Sequence, residues 1–366
     1  MDLTSLLSDA VRREASDVHL HANRRPLVRI DGRLEPAGSE VLSEDDVDRM
    51  TRAMMPAPRA VEFATTNETD FAYEVPGIGR FRVNVYREQG AAAVVMRSVR
   101  FEIRDFEALG LPPVVRRIAD EPRGLVLVTG RIGAGKTTTL AAMIDHINKT
   151  RDGHILTIED PVEIRHPDKR CVVSQRDVGL DTEGFRAALK RALRQDPDVI
   201  FIGEMRDQET VAAARSAAET GHLVLSTLHT VNATESVNRI LDFYPPDQHL
   251  QVRASLAATL RGIISQRLLP RAEGTGRLPA LEVLVGTGRI FDRILVPEKT
   301  HEIEAVIAEG GYYGMQTFDQ HLLELFSRGE IKRAVALGAA THPHDLMLAI
   351  SQRQLADAGT AATRGG

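Results

Sequence analysis

GLVLVTGRIGAGKTTTL, residues 124–140, joins an apolar run to a glycine-rich loop and then to a helix-forming segment. The run Leu125–Val128 has the pattern of a buried strand, and the loop from Gly130 to Thr137 fits Gly-x-x-x-x-Gly-Lys-Thr. Glycines there let backbone N–H groups turn around phosphates at the start of the helix, where the helix dipole also favours anions. The spacing predicts a P-loop, whose expected nucleotide ligands are Gly130, Gly133, Ala134, Gly135, Lys136, Thr137 and Thr138.

The composition limits the class of protein. The chain has 366 residues, of which 43% are hydrophobic and 27% charged, and its formal net charge is −5. This mixture is typical of a globular protein with room for two domains, and the acidic balance argues against direct nucleic-acid binding. Cys171 is the only cysteine, which excludes an intrachain disulfide and a multi-cysteine zinc site. Because no apolar run approaches the ~18 residues of a spanning helix, we expect a cytoplasmic protein without membrane insertion.

The pattern of apolar residues divides the chain into two predicted domains. Residues 1–98 combine a short amphipathic helix with alternating strands, including a hairpin that turns at Asp31-Gly32, and predict an α+β N-terminal domain. Residues 99–123 are rich in proline and charge and predict a linker. Residues 124–351 carry apolar runs separated by helical stretches, which predict an α/β fold with a mainly parallel sheet.

The C-terminal part of the second domain has helical rather than alternating patterns. Helices are predicted within Gln248–Leu268 and Gln316–Arg328, where apolar residues recur at helical spacing. Residues 352–366 are mostly small and polar, and predict a flexible tail.

Acidic residues follow two of the apolar runs, at the strand ends where ligands bind in α/β folds. Glu159, Asp160 and Glu163 come after the second run, and a carboxylate there can polarise the attacking water in phosphoryl transfer. Spacing does not rank these three acids, and an acidic cluster that complements a helix dipole is the alternative interpretation. Glu204 ends the third run, in the position that holds Mg²⁺ in P-loop proteins together with the Thr137 hydroxyl.

Histidines and arginines complete the set of candidate site residues. His222 and His229 bracket an apolar run that should lie beside the nucleotide, where imidazoles can act as sensors or proton-sharing partners of the phosphate. A structural role for both is the alternative. Arg82 and Arg97 lie in alternating segments of the N-terminal domain, and arginine suits the neutralisation of transition-state charge from another domain or subunit. Two solvated strand arginines would give the same pattern.

The candidate acids, both histidines and Arg82 occur within sequence blocks that resemble those of one protein family. The blocks are Ala15–Leu20, Gly79–Asn84, Arg123–Gly130, His154–Glu163, Asp196–Asp207, Ala218–Leu223, Thr227–Thr230, Ile264–Gln266 and Tyr313–Thr317. In this order they make the chain resemble, nearly end to end, the secretion ATPase superfamily of type II secretion and type IV pili. The resemblance is greatest to its PilT-type branch, the pilus retraction ATPases of twitching motility.

The resemblance implies a PAS-like N-terminal domain, a RecA-like P-loop NTPase domain with a helical C-terminal region, and a homohexameric ring. It implies ATP and Mg²⁺ as ligands, and a motor at the inner-membrane base of the pilus machine, coupled to an inner-membrane platform protein. The positions that match the P-loop lysine, the catalytic glutamate, the Walker B acid, the two box histidines and the two N-domain arginines are Lys136, Glu163, Glu204, His222, His229, Arg82 and Arg97.

Two stretches depart from the family pattern. In the P-loop, Arg131 and Ile132 stand where the family usually has Pro-Thr. Near the C-terminus the retraction ATPases carry Ala-Ile-Arg-Asn-Leu-Ile-Arg-Glu, and here the two arginines and the glutamate become Phe291, Leu295 and Val296. The second change is expected to alter the contact with a partner rather than ATP turnover.

Three functions therefore stay open at the level of sequence. The first is an ATP-driven motor of the pilus retraction type, including accessory paralogues of it. The second is a related motor for another secretion or DNA-uptake machine. The third is a ring-forming ATP-binding scaffold with little turnover, supported only by the altered segment from Arg289 to Val296. The lack of a four-cysteine zinc module and of an extra N-terminal domain favours the retraction branch over the assembly branch.

Overall fold

A computed structural model of the chain describes residues 2–30, 32–99, 103–274 and 276–364, with side chains described except at 99 and 355–364. Its contacts divide the chain into two compact units. Unit 1 comprises Met1–Glu102, Ile158–Pro167 and Gln175–Ala188, and unit 2 comprises Ile103–Thr157, Asp168–Ser174 and Leu189–Gly366. Both contain helices and strands, so the chain has the α/β character that the sequence predicts.

The elements up to residue 99 belong to unit 1. They are α1 (Leu3–Arg12), β1 (Asp17–His21), β2 (Leu27–Ile30), β3 (Arg33–Pro36), α2 (Glu44–Met54), α3 (Ala57–Thr66), β4 (Glu68–Val75), β5 (Gly79–Glu88) and β6 (Ala91–Val99). The strands form an antiparallel sheet in the order β3-β2-β1-β6-β5-β4. One hydrophobic cluster joins the helices to this sheet, and it includes Leu7 of α1, Val47 of α2 and Phe81 of β5, all fully buried.

Local sequence signals explain the start of this unit. Helix α1 begins where the Asp2 side chain accepts a hydrogen bond from the Ser5 N–H, which satisfies one of the free N–H groups at a helix start. The predicted hairpin is present, because β2 and β3 pair with Ile30 opposite Arg33 and Gly32 has a φ of +81°. Asp31, the other predicted turn residue, lies outside the described residues.

The remaining helices and strands follow residue 102. They are α4 (Pro113–Ala119), β7 (Gly124–Thr129), α5 (Lys136–Thr150), β8 (Gly153–Glu159), β9 (Cys171–Asp177), α6 (Phe185–Ala192), β10 (Val199–Ile202), α7 (Gln208–Glu219), β11 (Leu223–Leu228), α8 (Ala233–Asp242), α9 (His249–Thr259), β12 (Leu260–Pro270), β13 (Arg277–Val285), α10 (Gly288–Leu295), α11 (Ile303–Glu309), α12 (Phe318–Ser327), α13 (Arg333–Ala339) and α14 (Pro343–Arg364). Short 3-10 turns occur at Pro246–Gln248, Pro297–Glu302 and Gly311–Tyr313.

A seven-stranded sheet in the order β13-β12-β7-β11-β10-β8-β9 organises this part of the chain. β7 lies between β11 and β12 and is parallel to both, and β10 is parallel to β11. Every residue of β7, β10 and β11 is buried, which explains why these strands are mostly apolar rather than alternating. The carboxyl ends of β7, β10 and β11 therefore meet at one edge of the sheet.

The structure differs from the sequence-based domain limits in two places. The predicted linker, residues 99–123, contains α4, whose Val115 and Ile118 are buried in the main hydrophobic cluster of unit 2. Residues 158–167 and 175–188, predicted to belong to the second domain, group with unit 1 by their contacts. Buried arginines of unit 1 explain the second difference: Arg80 donates to Val162 O at 2.6 Å and Arg59 to Val178 O at 2.7 Å.

Two further differences concern helices. The predicted helical stretch Gln248–Leu268 is helical only to Thr259, after which the chain forms strand β12. Pairing with β7 on one side and β13 on the other favours the strand, because apolar residues such as Ile263 and Ile264 then lie inside the sheet. In the range predicted as a flexible tail, α14 continues to Arg364, and residues 365–366 lie outside the described part of the chain. Within the described ranges no helix has both the length and the apolar character to cross a bilayer.

Candidate nucleotide-binding and active site

The glycine-rich loop has a backbone that other residues could not adopt. Gly130 follows β7 with a φ of +142°, and a Cβ there would lie 2.5 Å from the carbonyl oxygen of Gln266. Gly135 has a φ of +90° and is the N-cap of α5, which begins at Lys136. The chain thus forms the strand, loop and helix that the sequence predicts, with the loop wrapped against Gln266 of β12.

Lys136 is held across the mouth of this loop. Its Nζ donates to Gly130 O at 2.7 Å and to Arg131 O at 3.3 Å, and it lies 3.3 Å from Nδ1 of His229. The other ring nitrogen, Nε2 of His229, lies 3.0 Å from Oε1 of Glu204. When Nδ1 accepts from the ammonium, Nε2 carries the proton and donates to the carboxylate. One imidazole therefore connects the P-loop lysine to the acid that follows β10.

The other predicted loop residues lie around this group. Gly133 has a φ of +79° and is exposed, whereas Ala134 is buried against the loop. Thr137 and Thr138 are exposed in the first turn of α5, where N–H groups without helical partners favour an anion. Among the residues that the structure describes, no three His, Cys, Asp or Glu side chains are arranged to hold a metal ion on their own.

His222 does not lie at this edge of the sheet. It precedes β11, its carbonyl oxygen accepts from the Gly124 N–H at 2.9 Å, and its ring contacts Ala217 O at 3.0 Å. β7 and β11 pair from Leu223 opposite Gly124 to Leu228 opposite Thr129, so the strand separates His222 from the P-loop by about 20 Å at ~3.3 Å per residue. Within one chain the two histidines therefore occupy opposite ends of one strand, and His229 is the one beside Lys136, while the role of His222 at a nucleotide stays a prediction.

Unit 1 groups three other predicted residues. Arg82 of β5 and Arg97 of β6 are opposite each other in the antiparallel register, so their side chains leave the same face of the sheet. The Arg82 guanidinium lies 3.5 Å from Oε1 of Glu163, and Arg97 Nε donates to Oδ1 of Asp17 at 2.9 Å. Burial opposes ionisation of Asp17, but hydrogen bonds from Ser16 and Arg97 hold its pKa below the usual value.

The three acids that spacing could not rank have different surroundings. Glu159 is 7% exposed and accepts from Nε2 of Gln175 at 3.2 Å, whereas Asp160 is exposed. Glu163 is half-buried and faces Arg82. The segment before it is fixed because the Val162 N–H donates to Asp177 Oδ2 at 3.1 Å. Burial raises the pKa of Asp177, as expected for a carboxyl group removed from water. Glu163 thus combines a contact with an arginine with partial exposure to solvent, whereas Glu159 is buried.

A cleft of about 560 Å³ adjoins the P-loop within unit 2. On one side it is lined by Arg131 and Ile132, and on the other by Arg267, Arg277 and residues 338–340. Arg267 is fixed by a hydrogen bond to Ala339 O, and its guanidinium lies 3.8 Å from the ring centroid of Phe318. Sequence reasoning did not single out Arg267 and Arg277. The only signal for Arg267 was its position directly after the block Ile264–Gln266.

Comparison with known proteins agrees with this geometry. The family described as Type II/IV secretion system protein matches residues 1–300. Type IV pilus retractation ATPase PilT of Pseudomonas aeruginosa is 43% identical over 345 residues, which cover 94% of this chain and 100% of the relative. Type IV pilus ATPase PilU of the same organism is 40% identical over 358 residues, which cover 98% of this chain and 94% of the relative. The crystal structure of the pilus retraction motor PilT with bound ADP has a TM-score of 0.88 at 41% identity, covering 94% and 98% of the two chains.

A strand, P-loop and helix with an associated lysine, histidine and glutamate define a P-loop nucleotide-binding enzyme. The chain belongs to the type II/IV secretion system protein family, and it is an ATPase.

Proposed function

We propose that this protein is the motor of a pilus retraction machine, which couples ATP hydrolysis to pilus disassembly and twitching motility. The contact of His229 with both Lys136 and Glu204 is the observation that carries the proposal, because it places a lysine, an imidazole and an acid at a P-loop. Similarity to PilT along almost the whole chain supports retraction as the output. We further assign unit 1 as a PAS-like domain and unit 2 as a RecA-like domain with C-terminal helices.

The P-loop residues are assigned to the phosphates of ATP. Backbone N–H groups at Gly133 and Gly135 and at the first turn of α5 would donate to the phosphates, with Lys136 on the β and γ phosphates. In the structure Lys136 donates to the loop carbonyls, so on nucleotide binding it exchanges those partners for phosphate oxygens. The base and ribose would occupy the cleft lined by Arg131, Arg267 and Arg277.

Mg²⁺ fits the oxygen donors at this edge of the sheet. Thr137 offers an exposed hydroxyl in the first turn of α5, and Glu204 follows β10 with a carboxylate that His229 and Arg206 already orient. One or two protein oxygens plus substrate phosphates are the usual ligand set for this ion. Bound there, Mg²⁺ would neutralise the charge that develops on the phosphates.

Glu163 is proposed as the group that activates the attacking water. Its carboxylate is partly open to solvent and contacts Arg82 at 3.5 Å, a distance that leaves room for exchange of partners. Arg82 and Arg97 share one face of the sheet and would neutralise charge on the phosphates of a nucleotide bound to the same or a neighbouring subunit. Glu159, which is buried and hydrogen-bonded, is assigned a structural role.

The assembly and partner follow from the same family. We propose a homohexameric ring in the cytoplasm, at the inner-membrane base of the pilus machine, working on an inner-membrane platform protein. Chemistry at the P-loop would move the two units of each subunit, and the ring would transmit that motion to the platform.

An accessory role in retraction is the second candidate. It is favoured by helix α10, where Phe291 is 36% exposed at a position that carries arginine in the retraction ATPases. The 40% identity to PilU over 98% of this chain is compatible with it. A retraction motor should restore twitching on its own to a piliated strain that lacks its retraction ATPases, whereas an accessory ATPase should restore it only together with a second motor.

The experiment that tests the proposed function has an enzymatic and a cellular part. Steady-state phosphate release by the purified protein should exceed that of the Lys136→Ala variant by at least about a hundredfold, because the lysine charge on the phosphates is lost. The same pair is then compared for twitching in the strain lacking its own ATPases. Phosphate release equal to that of Lys136→Ala would contradict the motor, and turnover without twitching would favour the accessory role.

A further inference from the structure

Three polar side chains lie side by side inside the sheet of unit 2, one on each of three neighbouring strands. The register pairs Thr129 of β7 with Ser265 of β12, and Ser265 with Glu282 of β13. Thr129 Oγ1 donates to Ser265 Oγ at 3.0 Å, and the Ser265 hydroxyl, on the strand next to Glu282, lowers the pKa of the Glu282 carboxyl group. Thr129 and Ser265 are fully buried and Glu282 is 4% exposed. A row of interacting polar side chains thus runs from the last residue before the P-loop to a buried acid.

The same carboxylate also holds the segment that carries His229. Oε1 of Glu282 accepts from the Ala233 N–H at 2.7 Å, and Ala233 is the first residue of α8. Only Thr230, Val231 and Asn232 lie between His229 and that anchor. One carboxylate is therefore linked to the His229 segment through the Ala233 N–H and to the P-loop stem through Ser265 and Thr129.

Capping of α8 does not explain an acid at this position. Asn232 already caps the helix, because its side chain accepts from the Glu235 N–H at 2.8 Å. A buried carboxylate is also costly, since charge is removed from water, and a serine or asparagine could accept one N–H at lower cost. The acid is also unusual in the sequence, because Glu282 is the one charged residue within the apolar stretch Leu278–Val285.

We propose that Glu282 is a positioning residue for ATP hydrolysis. It keeps the P-loop stem and the His229 segment in a constant relative position, so that His229 stays between Lys136 and Glu204. Glu282 acts through Thr129 and Ser265 on one side and through Ala233 on the other, without touching the nucleotide. The proposal rests on ATPase activity and is independent of the machine that the ATPase serves.

The charged groups around Glu282 make its action depend on pH. Burial raises the pKa of Glu282 to about 7, and the repulsion from Glu304 of α11 acts in the same direction. The Ala233 N–H, Arg267 of β12 and the Ser265 hydroxyl oppose that rise. From α12, His321 faces the same strand and accepts from the Leu281 N–H at 2.9 Å. When Glu282 is ionised it can only accept, which fixes the donor order of the chain, whereas the neutral acid can donate to Ser265 and reverse it.

Glu282→Gln is the informative variant. The amide oxygen can still accept from the Ala233 N–H, so the fold should be kept, but the amide NH₂ must donate to Ser265 and reverse the chain. We expect kcat for ATP to fall about tenfold with KM changed less than about threefold, because misplacement of catalytic groups acts mainly on the chemical step. A rise of wild-type kcat between about pH 6 and pH 8 should be absent from the variant.

Two further variants separate positioning from stability. Ser265→Ala breaks the same chain, and the double variant with Glu282→Gln should be no worse than the more affected single variant, because the residues act as one unit. Thr300→Ala is the matched control: its buried hydroxyl bonds Arg253 and Arg293 O, away from this chain. It should lower the melting temperature without changing kcat at a temperature where the protein is folded.

Each outcome decides for or against the proposal. Wild-type kcat and pH dependence in Glu282→Gln would overturn it. Independent, multiplicative effects of the two variants would also overturn it, as would losses of kcat that follow the folded fraction in all variants, Thr300→Ala included.

Discussion

Nδ1 of His229 lies 3.3 Å from Nζ of Lys136, although the two residues are 93 positions apart in the chain. Lys136 is the first residue of α5, which follows β7, and His229 follows β11. Because β7 and β11 are parallel neighbours, both side chains lie at the same edge of the sheet. The contact predicts that the imidazole takes part in nucleotide turnover.

His229→Ala should lower kcat for ATP by at least about tenfold, because Lys136 and Glu204 lose the ring that orients both. His222→Ala is the matched control from the other end of β11. It should keep kcat within about twofold and lose about 1 kcal/mol of stability, since its ring only joins local hydrogen bonds at the far end of β11. Equal losses of kcat in the two variants would contradict the assignment.

Glu163→Gln should abolish most turnover, with a fall in kcat of about 10²-fold or more, if this carboxylate activates water. Nucleotide affinity, measured with a fluorescent ADP analogue, should change little because the P-loop is untouched. Asp160→Asn, at an exposed acid three residues earlier, serves as the comparison and should retain near wild-type kcat. Inactivation by the Asp160 change with activity kept in Glu163→Gln would reverse the two roles.

Gly130→Ala should fold poorly or lose nucleotide binding, because its Cβ would lie 2.5 Å from Gln266 O in a backbone with φ of +142°. Gly133→Ala meets no atom within 4 Å and has only the strain of a φ of +79°, about 1–2 kcal/mol. Melting temperature and ADP affinity measured on both variants separate steric clash from backbone strain. A milder effect at Gly130 than at Gly133 would show that the loop relaxes away from β12.

Phe291→Arg together with Leu295→Arg should leave the ATPase rate of the isolated protein within about twofold, because α10 lies outside the P-loop group and Phe291 is exposed. The effect should appear in the cell, as a change in twitching at unchanged protein level. A several-fold change in the isolated ATPase rate would connect α10 to the active site.

Because His321 is buried, we expect the folded protein to lose stability in acid. Burial lowers the pKa of His321 to about 4, from an ordinary value near 6.5. Above pH ~6.5 both folded and unfolded chains hold a neutral ring, whereas between pH ~6.5 and 4 the unfolded chain gains a proton that the folded chain rejects. This group therefore destabilises the fold increasingly as the pH falls through that window, by up to ~3 kcal/mol.

The measurement is urea unfolding at several pH values, with His321→Gln for comparison. The glutamine oxygen can accept from the Leu281 N–H, as the ring does, and it does not titrate. The difference between the two proteins should grow below pH ~6.5. Parallel stability curves from pH 7 to pH 5 would contradict the prediction.

Short-range pattern was sufficient for the nucleotide loop. Glycine spacing after an apolar run dictates a strand, a phosphate-binding turn and a helix start, and the structure has Gly130, Gly135 and Lys136 in those places. The second half of Gln248–Leu268 was mispredicted as helix for the opposite reason. Its strand is favoured by pairing with β7 and β13, which lie far away in sequence.

In the candidate site, too, some features follow from local sequence and others from long-range packing. Residue types and order pointed to Lys136, Glu204 and His229, but no sequence pattern distinguished His229 from His222. Only strand direction separates them, because one side chain precedes β11 and the other follows it. Likewise, Glu163 differs from Glu159 through its contact with Arg82 and its partial exposure, which depend on folding of distant segments.

By itself the sequence determined the P-loop, the α/β class and the family, because each of these depends on local spacing and residue type. Tertiary structure decided which groups lie together: His229 rather than His222 beside Lys136, Arg82 beside Glu163, and Glu282 beside Ser265 and bonded to the Ala233 N–H. The physical reason is that strand register and burial, which fix such contacts and the cost of a buried charge, arise only when segments far apart in the chain pack together.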